Sequence, residues 1–287
     1  MPDFGIMRGF NEKLFGDKLV AGQLPTQLGI IGSQEVFDTD VDAIAFFDRV
    51  TAAGGTLSAT EKLAVDTLVK QMKADGTWTP MKAIYPMVGA SAAACAQNLK
   101  SASFTGTFNG GVTFSNLGIT GNGTSGYMNT NLNQSTEQTS NNLHISIYQR
   151  NILSSPSNVS MGLGSGSSFS RFYLNFSGSE YLSLQSAVQA ISSVETPQQG
   201  MFILSRNSSA NFFKKQNNLT IETFTNGSIP LSAFTYALLA GNAAGTFGEF
   251  STANLAFSSI GDGLTDTQAG NFYTAVQAFQ TTLSRQV

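Results

Sequence analysis

The chain has 287 residues, 41% of them apolar and only 11% charged, with a net charge of −3. That length can bury a sizeable core in one or two domains, and aromatics with so few charges exclude a disordered chain. A chain without a basic surplus has no electrostatic footprint for nucleic acid, and without an apolar run of about 18 residues nothing is expected to insert in a membrane.

Residues Met1 to Gly32 read as an irregular arm. Gly5, Gly9, Gly16, Gly22, Gly29 and Gly32 interrupt helix formation. Phe4, Ile6, Met7, Phe10, Leu14, Phe15, Leu19, Leu24 and Leu28 are too many apolar side chains for a solvated tail. Such a segment orders by packing, either over its own domain or as an anchor docked into a partner subunit. Asp3 and Glu12, with no apolar stretch between flanks of the right kind, give no export leader, so synthesis in a cytoplasm is expected.

A first helix is expected over Thr39–Val50, capped by Thr39 or Asp40, with Val41, Ile44, Ala45, Phe47 and Asp48 at helical spacing. Ala53-Gly54-Gly55 ends it. Ser58-Ala-Thr-Glu61 is a capping box. It opens a second helix through about Asp75, with Leu63, Val65, Leu68, Val69 and Met72 as its buried face and Gly76 as its stop. The two helices are expected to form a hairpin. Trp78 to Gly89, with two prolines, reads as an extended edge segment in which Trp78 is a packing anchor. Cys95, the single cysteine, sits among small residues and reads as a buried structural thiol.

From Phe104 the apolar period becomes 2. Strands are expected at Leu143–Arg150, Phe169–Phe176, Met201–Arg206, Phe212–Lys215, Leu219–Phe224, Ser232–Ala240 and Ala253–Phe257. Asn217-Asn218 and Asn226-Gly227 supply turns. Gly162-Leu-Gly164-Ser-Gly166 reads as a flexible loop. Short strands with regular turn signals point to a sandwich. The stretch Ser101–Leu264 holds only eleven charges in 164 residues: Glu137, Glu180, Glu195, Glu222, Glu249 and Asp262 against Arg150, Arg171, Arg206, Lys214 and Lys215. A surface so poor in charge is risky on a free monomer and easier to rationalise in an assembly. Its seven Asn-x-Ser/Thr triplets (from Asn122, Asn133, Asn158, Asn175, Asn207, Asn218 and Asn226) follow from composition and read as that, not as glycosylation. Thr265-Asp-Thr-Gln268 is a second capping box, opening a terminal helix with Phe272, Val276, Phe279 and Leu283 on one stripe. Arg285 lies near its C-terminus, where the helix dipole favours a cation.

The fold class read from these elements is mainly β: a two-sheet antiparallel sandwich with an N-terminal helical hairpin and a C-terminal helix. The divisions are an extended anchoring arm (1–35), a small helical subdomain (36–90), the sandwich (91–264) and a C-terminal helix (265–287) packing on the helical subdomain.

The order of these elements resembles the concanavalin A-like, laminin-G-like jelly-roll modules. Its marks are the Asn-Gly-Thr-Ser-Gly-Tyr turn, then Leu-His-Ile-Ser-Ile-Tyr, Met-Phe-Ile-Leu-Ser-Arg and Phe-Thr-Tyr-Ala-Leu-Leu-Ala-Gly-Asn. Three segments look like a group of phage virion-associated proteins: Trp78–Gly89, Tyr127-Met-Asn-Thr130, and Phe257–Gln268 with its helix. The resemblance spans roughly Asp40 to Val287. It implies a virion component of head-fibre, capsid-decoration or tail-appendage type, and it implies glycan binding.

Catalytic chemistry is thinly represented. Glycosidases need two carboxylates about 5–10 Å apart, and the acids of the sandwich are scattered in sequence. Asp262, between two glycines, is a weak Ca²⁺ candidate, because such a site wants six to eight oxygens; the preferred reading is a turn residue, and no metal is expected. His144, the single histidine, has no second ligand nearby for zinc and reads as a surface or satisfied side chain. Tyr127, Tyr148, Tyr173, Tyr181 and Tyr236 are candidates for a sugar platform. No nucleotide or hydrolase motif is present, and no cofactor is expected. The leading expectation is a non-enzymatic, homo-oligomeric phage structural protein. It would contact other virion proteins (capsid or tail) through its arm and present the sandwich outward to surface glycans. The alternatives are a free carbohydrate-binding lectin and, third, a glycoside hydrolase.

Overall fold

The computed structural model describes residues 39–154, 158–165, 168–177, 179–187, 189–193 and 198–287. The anchoring arm, with Phe4, Ile6, Met7, Phe10, Leu14, Phe15, Leu19, Leu24 and Leu28, lies outside the described residues. Thr39–Val287 forms one compact unit.

In chain order the elements are α1 (Val41–Ala52), α2 (Ala59–Ala74), β1 (Met81–Tyr85), α3 (Ala92–Cys95), β2 (Thr107–Asn109), β3 (Thr113–Ser115), β4 (Gly118–Thr120), β5 (Tyr127–Asn133) and α4 (Gln134–Glu137). Then come β6 (Leu143–Gln149), β7 (Met161–Ser165), β8 (Ser168–Phe176), β9 (Ser179–Ser186), β10 (Ala190–Ser193), β11 (Gly200–Arg206), β12 (Phe212–Gln216) and β13 (Glu222–Phe224). The last are β14 (Thr235–Leu238), β15 (Gly241–Ala243), β16 (Thr246–Gly248), β17 (Asn254–Gly261) and α5 (Asp266–Thr282).

The strands make two sheets. The first runs β13-β12-β11-β6-β17-β4-β3, with β1 added on β17; the second runs β10-β9-β8-β7-β14-β5-β2. The β15–β16 hairpin joins the second sheet by a parallel pairing of β15 with β7, while the other ladders among the described residues are antiparallel. One apolar core fills the space between the sheets. Leu143, Ile145, Ile147, Phe202, Leu204 and Leu255 enter it from the first sheet, and Met128, Met161, Phe172, Leu174, Leu182 and Leu184 from the second. Alternation then sends Tyr148, Met201, Ile203 and Phe257 to the other face of the first sheet. There they meet Phe46, Val65, Leu68, Phe272, Val276 and Phe279 from α1, α2 and α5. The first sheet is therefore covered on both sides, and every residue of β6 and β11 is buried. Each large apolar side chain so enclosed contributes about 1.5–3 kcal/mol before entropy is counted.

Both long capping boxes form. Ser58 and Glu61 close on each other at the start of α2, and Thr265 and Gln268 do so at the start of α5. The buried faces of the first two helices differ from those expected. In α1 the stripe is Ala43, Phe46 and Val50, while Val41 is 73% exposed and Ile44 faces solvent. Polar contacts with α2 set this rotation. The Asp40 amide donates to Asp66 (2.7 Å), and Lys73 reaches both Asp40 and Asp42 (2.6 Å each). In α2, Leu63 is exposed and Ala64 takes the inward position. The helix α5 lies on the first sheet and beside α2, where Gln268 donates to the carbonyl of Gly76 (3.2 Å).

The positions of β6, β8, β11 and β12 agree with the sequence reading to within a residue or two, whereas β13 and β14 are shorter and β17 is longer. The segment Gly162–Ser165 is part of strand β7 rather than a loop. Met161 and Leu163 alternate into the core, and the glycines fall on the outer face where no side chain is needed for burial. Strands β9, β10, β15 and β16 had no expected counterpart. The strand β1 belongs to the segment 36–90 yet pairs with β17, so that segment and the sandwich share a sheet.

Three buried basic groups hold the layers. At the sheet edge Lys214 of β12 reaches Glu180 of β9 (2.9 Å), joining the two sheets, and also Glu222 (3.1 Å) and Ser192 (3.2 Å). Arg206 spends its donors on the carbonyls of Leu184, Ser208, Asn211 and Asn226. Arg285, 1% exposed, lies beyond the α5 cap rather than on its surface. It donates to Gln280 Oε1 (2.5 Å) and to the carbonyls of Pro86 (2.6 Å), Met87 (2.8 Å) and Ala256 (2.8 Å). Desolvation pulls its pKa down to about 9. Replacing Arg285 with Leu leaves three carbonyls buried without that donor, at about 1–3 kcal/mol each when unrelieved. The expected result is a loss of about 3 kcal/mol, read as a lower urea midpoint at unchanged m-value.

Candidate functional site

The five candidate tyrosines separate by burial. Tyr148 and Tyr236 are fully enclosed, and their hydroxyls are committed to Gln277 and to Gln138, respectively. Tyr127 is half-buried and stacks on Phe247 (4.3 Å between centroids), with Phe250 beside it. Tyr173 and Tyr181 are cross-strand neighbours on the outer face of the second sheet. With Arg171 and Gln189 they line a solvent-open concavity of ≈ 150 Å³.

Strand periodicity builds this site. Phe172 and Leu174 of β8 point into the core, so Phe169, Arg171 and Tyr173 share the opposite face. Arg171 is sandwiched between them, its guanidinium carbon 4.2 Å from the Phe169 ring centroid and 5.0 Å from that of Tyr173. The floor continues onto β7 and β15 through Gly162, Gly164 and Gly241, where a second, separate hollow of only ≈ 20 Å³, room for about one water, also touches Asn242 and Glu249. Gly164 is required for close approach, since a Cβ there would lie 2.5 Å from the Phe169 ring, while a Cβ on Gly241 would lie 3.0 Å from the movable Glu249 carboxylate.

Glu249 completes the site from the turn after β16. Its Oε2 sits 3.7 Å from Arg171 Nη1, and its Oε1 accepts from the Tyr173 hydroxyl. In the amide orientation that satisfies both ends, the Gln189 oxygen accepts from Arg171 Nη2 and from Nε (3.1 Å). Burial is the first cause of a lowered Arg171 pKa, opposed by Tyr173 and Glu249. The Tyr173 phenol is pushed up, first by burial and then by the adjacent carboxylate. The arrangement offers aromatic faces, an amide, a cation and an anion on a shallow surface. The Phe169-x-Arg171-x-Tyr173 alternation is visible in the sequence. The contributions of Gln189, Glu249 and the glycine floor are not, because they arrive from other strands.

The remaining candidates are elsewhere. His144 is fully buried: Nδ1 donates to the Asp262 carbonyl (2.6 Å) and Nε2 accepts from Ser259 Oγ (3.0 Å), which contacts Ser146 Oγ (2.6 Å). This Ser–His chain has no exposed member, so no substrate reaches it as folded. The Asp262 carboxylate pairs loosely with Lys82 (3.4 Å), and no group of three or more His, Cys, Asp or Glu gathers around a common point among the described residues. Glu180 and Glu222 do converge, but on Lys214 between them, with Glu180 wholly enclosed. Cys95 is buried, contacts the Val88 carbonyl (3.4 Å) and has its pKa pushed up to about 12 by desolvation. Trp78 is 8% exposed, with Lys100 4.4 Å from its ring centroid, and packs among the helices.

No protein-family model matches the chain, and no curated protein matches it. Solved structures give partial likenesses. Domain 4 of AbnA, a GH43 extracellular arabinanase from Geobacillus stearothermophilus, was solved in complex with arabinotriose. It aligns at 15% identity and TM-score 0.47 over 67% of this chain and 98% of that one. The NanB sialidase of Streptococcus pneumoniae aligns at 13% identity and TM-score 0.37, over 46% of this chain and 24% of that one. The enzymatically active domain of bacteriophage CBA120 tailspike protein 2 aligns at 14% identity and TM-score 0.39, over 60% and 29%. The chain thus spans about a quarter of the sialidase and under a third of the tailspike domain.

Burial depresses the His144 pKa to about 4, against an ordinary value of 6.5. The unfolded chain therefore takes up a proton that the folded chain refuses. The stability from neutral His144 is fully present above pH 6.5 and is lost as pH falls from 6.5 towards 4, by roughly 3 kcal/mol in all. Urea unfolding across that window should show the extra slope in the native protein and its absence in His144→Gln.

Proposed function

We propose that this chain is a non-enzymatic adhesion component of a phage particle, whose jelly-roll, concanavalin A-like sandwich binds glycan on the outer face of its second sheet. The single observation that carries the binding reading is the glycine-floored concavity around Arg171. Sugars present alternating apolar C–H faces and hydroxyls. Recognition calls for flat aromatic or guanidinium surfaces beside a few polar groups that fix orientation. Tyr181 and the Phe169–Arg171 stack supply the first, and Gln189, Asn242 and Glu249 the second. The outer face of the first sheet is closed by helices, so the second sheet is the side left for presentation. The non-enzymatic reading rests on Glu249 being the one carboxylate among the described residues that line this concavity, where hydrolysis would call for a flanking pair.

The particle reading rests on the segments Trp78–Gly89, Tyr127–Thr130 and Phe257–Gln268, on the low charge of the sandwich, and on the apolar, glycine-broken pattern of residues 1–35. In this reading two-helix hairpin α1–α2 and helix α5 back the sandwich, the arm joins capsid or tail, and copies assemble as a homo-oligomer in the virion. A free carbohydrate-binding lectin would use the same concavity without the arm.

On a glycan array, Arg171→Ala and Tyr181→Ala are expected to lower binding at least tenfold while thermal unfolding stays within a few degrees of the parent. Undiminished binding by both variants would remove the concavity from the proposal. Deleting residues 1–35 should abolish incorporation into particles and leave glycan binding intact; normal incorporation of the shortened chain would favour the free lectin.

A further inference from the structure

Among the described residues that line the concavity, Arg171 and Glu249 are the charged ones, and they carry opposite signs. Their separation, 3.7 Å between Nη1 and Oε2, is longer than a hydrogen bond. The pair therefore cancels in charge without saturating its donors and acceptors. With the Gln189 amide so oriented, Arg171 Nε and Nη2 are both engaged by its oxygen, which leaves Nη1 directed towards Glu249; the other carboxylate oxygen of Glu249 accepts from Tyr173. What remains is a donor on Nη1 and an acceptor on Oε2, side by side at the solvent-facing rim, with the Glu249 side chain 47% exposed.

We infer, resting on the glycan reading above, that this site selects uncharged sugars carrying two adjacent hydroxyls and discriminates against sugars bearing a carboxylate. One hydroxyl accepts from Arg171 and donates onward, and its neighbour donates to Glu249. A neutral diol bridges the pair without disturbing its charge balance. A ligand carboxylate placed on Arg171 would have to displace the Gln189 oxygen or sit against the Glu249 carboxylate, and like charges at that range repel strongly in a partly desolvated site. Glu249 is thus the specificity-determining residue, rejecting acids as well as holding hydroxyls. The small, neutral groups around it (Gly241, Asn242, Ala243) offer no second cation to offset an acidic ligand.

The test uses the full chain against matched oligosaccharide pairs that differ in oxidation at one carbon, gluco- against glucurono- and galacto- against galacturono-oligomers, with affinities from titration calorimetry at fixed salt. The expected result is binding to a neutral member at least tenfold tighter than to its acidic partner. Glu249→Gln, isosteric and at the surface, should weaken the neutral ligand and narrow or reverse the preference, because Arg171 then presents an uncompensated charge. Tighter binding of the acidic member by the native chain, lost in Arg171→Ala, would overturn the inference while leaving the glycan reading standing. Absence of binding to either member of every pair, on a chain whose unfolding is cooperative, would remove the glycan reading and this inference together.

Discussion

The constraint on which the structure depends is the burial of the first sheet on both of its faces. Strands β6, β11 and β17 give one set of side chains to the inter-sheet core and the alternate set to the helices. A strand covered on both sides cannot slip by one residue without exchanging two different environments, so its register is held from above and below. The polar residues that fall on these strands are enclosed and must be satisfied internally. His144, Ser146 and Ser259 are an instance, each completing the hydrogen bonds of the next.

The same constraint explains where the few charges went. Lys214 with Glu180, Arg206, and Arg285 are enclosed where layers meet, and their donors face carboxylates or backbone carbonyls. Buried pairs are weak contributors to net stability but costly to break. Here they hold elements that contribute little apolar surface themselves: the terminal strands β10 and β13, the loop after β11, and the chain beyond α5. Arg285 reaches from the end of the chain to Pro86 and Met87, so the helical layer is tied to the segment that enters β1.

With the first sheet closed by helices, the second sheet carries the outer face left uncovered among the described residues. Its glycines, Gly162, Gly164 and Gly241, forgo side-chain packing there, and the space they leave is occupied by Val159, the Phe169 ring and the Glu249 carboxylate, respectively. A surface low in charge, shallow, and furnished with stacked Arg and aromatic groups is suited to weak, repeated contacts.

The sequence by itself determined what depends on near neighbours in the chain. The boxes Ser58–Glu61 and Thr265–Gln268 are closed within one helical turn, and the alternation in Leu143–Gln149 and Ser168–Phe176 needs nothing beyond the strand. The tertiary structure decided what depends on the opposing surface. It chose which stripe of α1 is buried, because Lys73 of α2 grips Asp40 and Asp42 and turns Val41 outward. It made a strand of the glycine-rich Gly162–Ser165 segment, because pairing on both sides supplied the hydrogen bonds that glycine lacks the propensity to seek. It also brought Glu249 to Arg171 from 78 positions away, a contact that no local pattern records, since loop closure leaves no trace in spacing.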